Sequence, residues 1–286
     1  MKTTRAVITA AGRDQRTLAL QTLVDRDGVA KSVLQVLIEE ASRAGIEDIC
    51  VVVCPGDEAA YKEAAGSYAG RLQFTVQDKP AGYGHAIYCA REFVGNAPFL
   101  HMIGDHVYVS SLTQGCAQQV VETAKLHDCS VSGVQATREN LLPYFGVIGG
   151  QRIRGSEQLY EIERVTEKPT PTLAEQTLLV PGLRAGHYLG LFGIHLLSPT
   201  VMTLLTAAVE SAEPGTSVQL SPVLNALASH ERYIALEVSG KRYPLDTRYG
   251  LLRAQLALGL DGEDREEVLA MLCELLAQRD SGKVGR

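Results

Sequence analysis

The sequence predicts an α/β protein built on a doubly wound, mostly parallel sheet, and three observations lead there. Apolar, β-branched runs of strand length at residues 48–54, 72–76, 98–103 and 130–136 alternate with segments of helical spacing. That regular alternation favours parallel strands joined by right-handed crossovers. With 286 residues, 45% of them hydrophobic, the chain can bury a large core.

The chain opens on Arg5-Ala6-Val7-Ile8-Thr9-Ala10-Ala11-Gly12, an apolar run ending in residues with almost no side chain. Parallel sheets bind ligands at the carboxyl ends of their strands, where bare backbone is exposed. Residues 6–12 are therefore a candidate floor for a flat base or ribose, with Arg16 just beyond, where phosphates would lie. Tight strand-to-helix packing alone would also select small residues there. Residues 32–44 space Val33, Val36, Leu37 and Ala41 as a helix face, with Glu39 and Glu40 on the other side. After the strand at 48–54 and Pro55-Gly56, residues 57–68 read as a helix capped by Asp57. A strand at 72–76 leads into Gln77-Asp78-Lys79-Pro80-Ala81-Gly82-Tyr83-Gly84-His85-Ala86. Here Gly82 and Gly84 permit close backbone approach, and the helix at 84–93 turns its amide end toward an anion. Gln77 offers both a carbonyl and an amide, as the edge of a pyrimidine requires.

The strand at 98–103 ends in Gly104-Asp105-His106. A carboxylate directly after a buried strand needs a partner, and a divalent cation is the least costly one. Mg²⁺ favours hard oxygen ligands and keeps waters and phosphate oxygens, so one or two carboxylates suffice. Asp105 is the first metal candidate, and His106 could orient it or meet a phosphate. Capping of the next segment is the plainer alternative for Asp105. Residues 112–126 are predicted helical. From Tyr144 onward the pattern changes to glycine-bounded strands at 145–149, 159–166 and 188–195. Helices at 198–210 and 217–229 follow, then a hairpin of 232–238 with 241–245 through Ser239-Gly240. Glu167-Lys168-Pro169 ends the strand at 159–166. In an extended chain, adjacent residues face opposite ways, so Lys168 can meet a phosphate while Glu167 accepts hydroxyls. Residues 248–278 have helical spacing, of the kind that packs on the body or on another subunit.

Composition narrows the function classes. A net charge of -6 with scattered lysines and arginines provides no field for nucleic acid. No apolar run approaches membrane-spanning length and the amino terminus lacks a secretion-signal pattern, so a cytoplasmic protein without membrane partners is expected. The six cysteines show neither a CxxC pair nor zinc-ligand spacing, and several sit in apolar runs as small hydrophobes.

Taken together, Ala6-Val7-Ile8-Thr9-Ala10-Ala11-Gly12 with Arg16, Leu37-Ile38-Glu39-Glu40-Ala41, Gln77 with Gly82-Tyr83-Gly84-His85-Ala86-Ile87, Gly104-Asp105, Gly146-Val147, Val165-Thr166-Glu167-Lys168-Pro169, Gly193-Ile194-His195-Leu196-Leu197-Ser198-Pro199 and Gln219-Leu220 resemble the sugar-1-phosphate nucleotidyltransferases, above all the bacterial UTP-glucose-1-phosphate uridylyltransferases. The resemblance runs over most of residues 5–255. It implies a Rossmann-like nucleotidyltransferase fold with an inserted β-rich sugar-binding part and carboxyl-terminal helices. Residues 1–255 would be the catalytic domain, with a nucleotide-binding half (1–137) and a sugar-phosphate-binding half (138–255), and 256–286 a helical extension. The implied reaction joins a nucleoside triphosphate, UTP, to a hexose 1-phosphate, glucose 1-phosphate, with release of pyrophosphate. The implied site has Ala10, Ala11, Gly12, Gln77 and Gly82 on the nucleotide, and Gly146, Glu167 and Lys168 on the sugar phosphate. Arg16 would contact phosphates, and Asp105 would bind Mg²⁺. A second metal aspartate is implied at Asp246, although an ungapped match puts Pro244 there. The assembly expected is a homo-oligomer.

Departures from the family pattern fall at Phe145, where a tyrosine is usual, at Ser217 and Pro222, where acidic residues usually flank Gln-Leu, at Arg248, where Asp-Thr-Gly has its glycine, and in the first loop. Asp14-Gln15 stand where a glycine-threonine pair is usual, and the loop after Arg16 is shorter and lacks its usual lysine, for which Lys31 is the candidate substitute. A relative that only binds a nucleotide or sugar phosphate, as a sensor or partner subunit, is thus the second reading. A nucleotide-sugar-dependent glycosyltransferase is a third, but such enzymes commonly set two acidic residues around the metal, and His106-Val107 follow Asp105 here.

Overall fold

The structure, a computed structural model, describes residues 1–281. In chain order the elements are β1 (Arg5–Thr9), β2 (Thr22–Val24), β3 (Ala30–Ser32), α1 (Val33–Arg43), β4 (Asp48–Val53), α2 (Glu58–Ala64), β5 (Leu72–Val76), α3 (Tyr83–Cys89), α4 (Arg91–Val94), β6 (Phe99–Ile103), β7 (His106–Ser110), α5 (Cys116–His127), β8 (Ser130–Arg138), β9 (Gly146–Arg152), β10 (Leu159–Glu167), α6 (Pro171–Thr177), β11 (His187–Leu197), α7 (Thr200–Glu210), α8 (Leu220–His230), β12 (Tyr233–Glu237), β13 (Gly240–Pro244), α9 (Gly250–Asp261) and α10 (Arg265–Ser281).

One nine-stranded sheet, ordered β5-β4-β1-β6-β11-β8-β12-β10-β9, carries the molecule. Helices cover both faces, as a doubly wound fold requires. Ala6 and Ile8 of β1 pack with α1 and α5, while Val7 faces the cluster holding α3, α7 and α8. The parallel character is confined to β5-β4-β1-β6 and to the β8–β12 pair; the other contacts are antiparallel. The sheet also closes on itself. Leu189 and Gly190 of β11 pair with β8 on one side and with β9 on the other, so β11, β8, β12, β10 and β9 form a ring. The strands of the half expected to bind the sugar phosphate therefore continue the main sheet, and the boundary expected at 255/256 falls inside α9.

Several local expectations are corrected by tertiary contacts. The hairpin expected over 232–245 does not form: β12 is claimed by β8 and β10, and β13 leaves the sheet to pair with β7. Gly240 permits the departure, since a Cβ there would meet the Val109 carbonyl at 2.7 Å. Asp57 does not cap α2; its carboxylate is taken by Arg16 at 2.7 Å. Glu40, placed on the outer face of α1, is only 4% exposed, and its Oε1 accepts from the Ala117 amide at 2.8 Å. It thereby satisfies the start of α5, which begins at Cys116 rather than at 112, and burial pushes its carboxyl pKa up. Among the described residues no helix is long and apolar enough to cross a membrane.

Candidate active site

At the carboxyl end of β1 and β6 lies a cavity of about 280 Å³, and the residues expected to hold a base meet there. Its floor is the backbone of Ala10, Ala11 and Gly12, fixed from below. The Ala10 amide donates to Val52 at 2.8 Å, the Cys54 thiol donates to the Ala11 carbonyl at 3.2 Å, and the Tyr61 hydroxyl donates to the Ala10 carbonyl at 3.4 Å. Gly104 closes up to Thr9, its amide donating to the Thr9 carbonyl at 2.9 Å; a Cβ at 104 would sit 2.7 Å from that oxygen.

Gln77 and Gly82 form one wall. The Gln77 side-chain amide donates to the Gly82 carbonyl at 3.0 Å and lies 3.0 Å from His85 Nδ1, which fixes its orientation. The Gln77 carbonyl oxygen accepts no hydrogen bond among the described residues, leaving an acceptor for a ring N–H such as that of uracil. Gly82 has φ +105°, and a Cβ there would collide with Ser217 Oγ and the Val218 backbone. That backbone cannot yield, because Val218 is tied to Ala81 and Gly84 by bonds of 2.8 and 2.9 Å. Gly82→Ala is expected to destabilise the protein by about 2 to 3 kcal/mol, from the disfavoured φ and the overlap together. A urea midpoint equal to that of the parent protein would show that the loop is not fixed in this way.

Asp105 forms the opposite wall. Its Oδ1 accepts from His106 Nδ1 at 2.7 Å, so His106 takes the orienting role considered for it. Asp246 comes to the same edge. The Leu245 amide donates to the Asp105 carbonyl at 2.9 Å, and Asp246 accepts from Gln15 Nε2 at 3.0 Å, with Gln15 itself lining the cavity. Pro244 pairs with His106 in the β7–β13 ladder and contributes no ligand. Among the described residues no group of three acidic, histidine or cysteine side chains forms a metal cage. The donor set still fits Mg²⁺, whose hard oxygen preference two carboxylates satisfy when water and phosphate oxygens complete the shell.

Two cations are placed differently from expectation. Arg16 does not line the cavity; its guanidinium is held by Asp57, and its carbonyl accepts from the Tyr61 hydroxyl at 2.7 Å. Lys31 cannot replace the missing loop lysine, because Asp25, Asp27 and Glu39 surround its ammonium at 2.9, 2.6 and 2.9 Å, and those bonds hold its pKa above the usual lysine value despite burial. Arg13 lines the cavity instead. It directly follows the floor at Gly12, a position that itself was the available signal.

The sugar-side residues lie across a gap in the sheet. On one edge of β11, Ile194 pairs with Met102 of β6 and Gly190 with Val147 of β9. Extending both registers sets Ile103 beside Gly193 and Gly146 beside Leu191, at an irregular stretch of β11 where its register with β8 shifts and Gly193 has φ +88°. The end of β6 and the start of β9 thus face each other over an unpaired stretch of β11. Glu167 pairs with Gly146, and its Oε2 accepts from Ser221 Oγ at 2.5 Å. Any side chain at 146 would press on Leu191, Ser221 and Glu167. Lys168 is not extended: φ is +43°, and its amide donates to Phe145 at 3.1 Å. The alternation argument for Glu167 and Lys168 therefore fails, and a left-handed turn separates the two side chains. Tyr83, to which the sequence reading gave no role, also belongs to this site. It lines the base cavity, and its phenol pKa is driven well above the ordinary value by burial and then by the charges of Asp105 and Glu167.

Known proteins resemble this chain over nearly its whole length. The UTP–glucose-1-phosphate uridylyltransferase YngB of Bacillus subtilis is 26% identical over 304 residues, covering 96% of each chain. UTP–glucose-1-phosphate uridylyltransferase 1 of Streptococcus pyogenes is 27% identical over 298 residues, covering 94% of this chain and 92% of the relative. Among solved structures, the UDP-glucose pyrophosphorylase of Acinetobacter baumannii superposes with a TM-score of 0.74 at 20% identity, over 95% of this chain and 99% of that one. A UDP-glucose pyrophosphorylase complexed with UDP-glucose gives 0.71 at 22% identity, over 88% and 97%. The nucleotidyl transferase family model matches residues 21–253, and the chain belongs to that family.

Proposed function

We propose that the protein condenses UTP with glucose 1-phosphate to give UDP-glucose and pyrophosphate. What supports this reading is the cavity in which a base-sized floor, the Gln77–Gly82 wall and the Asp105 carboxylate meet, with Gly146 and Glu167 paired at the β9–β10 edge across the unpaired stretch of β11. In it, Ala10, Ala11 and Gly12 present peptide groups to the nucleoside, Gln77 accepts the uracil N3–H, and Gly82 keeps that wall flat. Arg13 is the nearest cation for the triphosphate, since Arg16 would first have to leave Asp57. Glu167 accepts sugar hydroxyls, Gly146 leaves room for the ring, and Lys168 holds the sugar phosphate. The sugar-phosphate oxygen attacks the α-phosphorus in line, and the bond to the pyrophosphate oxygen breaks. A phosphate monoester is already ionised near neutral pH, so no general base is required. The protein's contribution is to position two polyanions and offset their repulsion. Asp105, with Asp246, would hold Mg²⁺, which when bound supplies charge neutralisation to phosphate oxygens.

In this reading residues 1–137 serve the nucleotide, 138–255 the sugar phosphate, and 256–286 are an extension. A cytoplasmic homo-oligomer is the associated proposal, supported by the exposed Leu252, Met271, Leu275 and Leu276 of α9 and α10. One observation favours a second reading, a binder without turnover: the ion pairs of Arg16 and Lys31 remove two cations from the loop. Release of pyrophosphate from UTP, glucose 1-phosphate and Mg²⁺, assayed beside other nucleotides and sugar phosphates, separates the two. Saturable nucleotide binding with no pyrophosphate from any pairing would select the binder.

A further inference from the structure

A second cavity, of about 550 Å³, shares no lining residue with the base cavity and contains neither Glu167 nor Lys168. Arg138, Arg242, Arg248 and Arg253 line it, and no aspartate or glutamate does. None of these four guanidinium groups forms an ion pair with a carboxylate among the described residues, whereas Arg16, Arg26 and Arg232 each do. Arg242 makes the case specific. It is only 8% exposed, and among the described residues its Nε has no hydrogen-bond partner and its terminal nitrogens reach only neutral oxygens, Gly190 O at 3.4 Å and Thr137 Oγ1 at 3.3 Å. Its guanidinium lies 3.8 Å over the Phe145 ring, which fixes the plane of the fork. A buried, unpaired charge is costly, and an anion is what relieves that cost.

The geometry points to this cavity as a binding site for a phosphate ester of a small metabolite, distinct from the base cavity. Convergent guanidinium forks match phosphate oxygens better than they match any neutral group. The cavity has the size of a small-molecule site, and Tyr144 and Phe145 in its wall can take the organic part. Burial draws the Arg242 pKa down to about 10, and a bound dianion would return it upward. The assignment stands independently of the reaction proposed for the cleft.

Isothermal titration calorimetry at constant ionic strength tests it, with inorganic phosphate, glucose 6-phosphate and adenosine monophosphate as probes. Saturable binding of at least one probe at one per chain is expected. The double variant Arg248→Glu/Arg253→Glu, in which both changed residues are exposed, should keep its thermal midpoint and lose affinity by about tenfold or more. Lys168→Ala should bind the probe as the parent does. Equal affinity for all three would identify the phosphate group alone as the ligand, and a preference for an ester would add the Tyr144–Phe145 wall. The proposal is overturned if no probe binds the parent saturably, if the double variant binds undiminished, or if Lys168→Ala abolishes the heat.

Discussion

Asp105→Asn is expected to reduce Mg²⁺-dependent pyrophosphate release by about a thousandfold while leaving the fold in place. The two effects separate because of what asparagine keeps. Its side-chain oxygen still accepts from His106 Nδ1, and the Asp105 backbone still receives the Leu245 amide, so the β6–β7 corner remains tied to β13. What is lost is the negative charge at the strand end, the only carboxylate lining the base cavity among the described residues. A neutral amide binds Mg²⁺ weakly, and the repulsion between two polyanions is then less well offset. Normal turnover in this variant, with unchanged Mg²⁺ dependence, would remove Asp105 from the metal role.

Lys168→Ala is the second large effect. A charge-assisted hydrogen bond to phosphate contributes about 2 kcal/mol, so the KM for glucose 1-phosphate should rise roughly thirtyfold. Alanine retains the Cβ and therefore the same left-handed backbone cost as lysine, and the residue 168 amide keeps its bond to Phe145. Affinity for UTP should stay near that of the parent, because the base floor and Gln77 belong to other elements. A sugar-phosphate saturation curve indistinguishable from the parent's would refute the assignment.

What the sequence reveals most clearly is what is built from neighbours. The β1 floor, Gln77 with Gly82, and Gly104-Asp105 each lie at the end of a strand whose apolar run marks it, and the structure brings all three to one cavity. What it hides are side-chain pairings that only the folded chain brings together, some between distant residues and some around a nearby turn. Arg16 reads as a phosphate contact until Asp57 is seen beside it, and Lys31 as a spare cation until Asp25, Asp27 and Glu39 close around it. Glu40 reads as solvent-facing because its partner, the Ala117 amide, is 77 residues away. The failed hairpin at 232–245 has the same origin: Ser239-Gly240 suits a tight turn, but β8, β10 and β7 offer the two strands better partners than each other. Arg13 directly follows the Gly12 floor and Tyr83 lies between Gly82 and Gly84, but neither residue type announces a role there, and their place on the cavity wall is what marks them.

The claim at the centre is that one hollow holds both anions. A crystal structure with UTP, Mg²⁺ and glucose 1-phosphate measures it directly. The account predicts the uracil on Ala10, Ala11 and Gly12 beside Gln77, the metal on Asp105, and the sugar phosphate across the β11 gap among Gly146, Glu167 and Lys168. Nucleotide and sugar phosphate found in separate hollows, or a nucleotide seated away from the β1 floor, would contradict it.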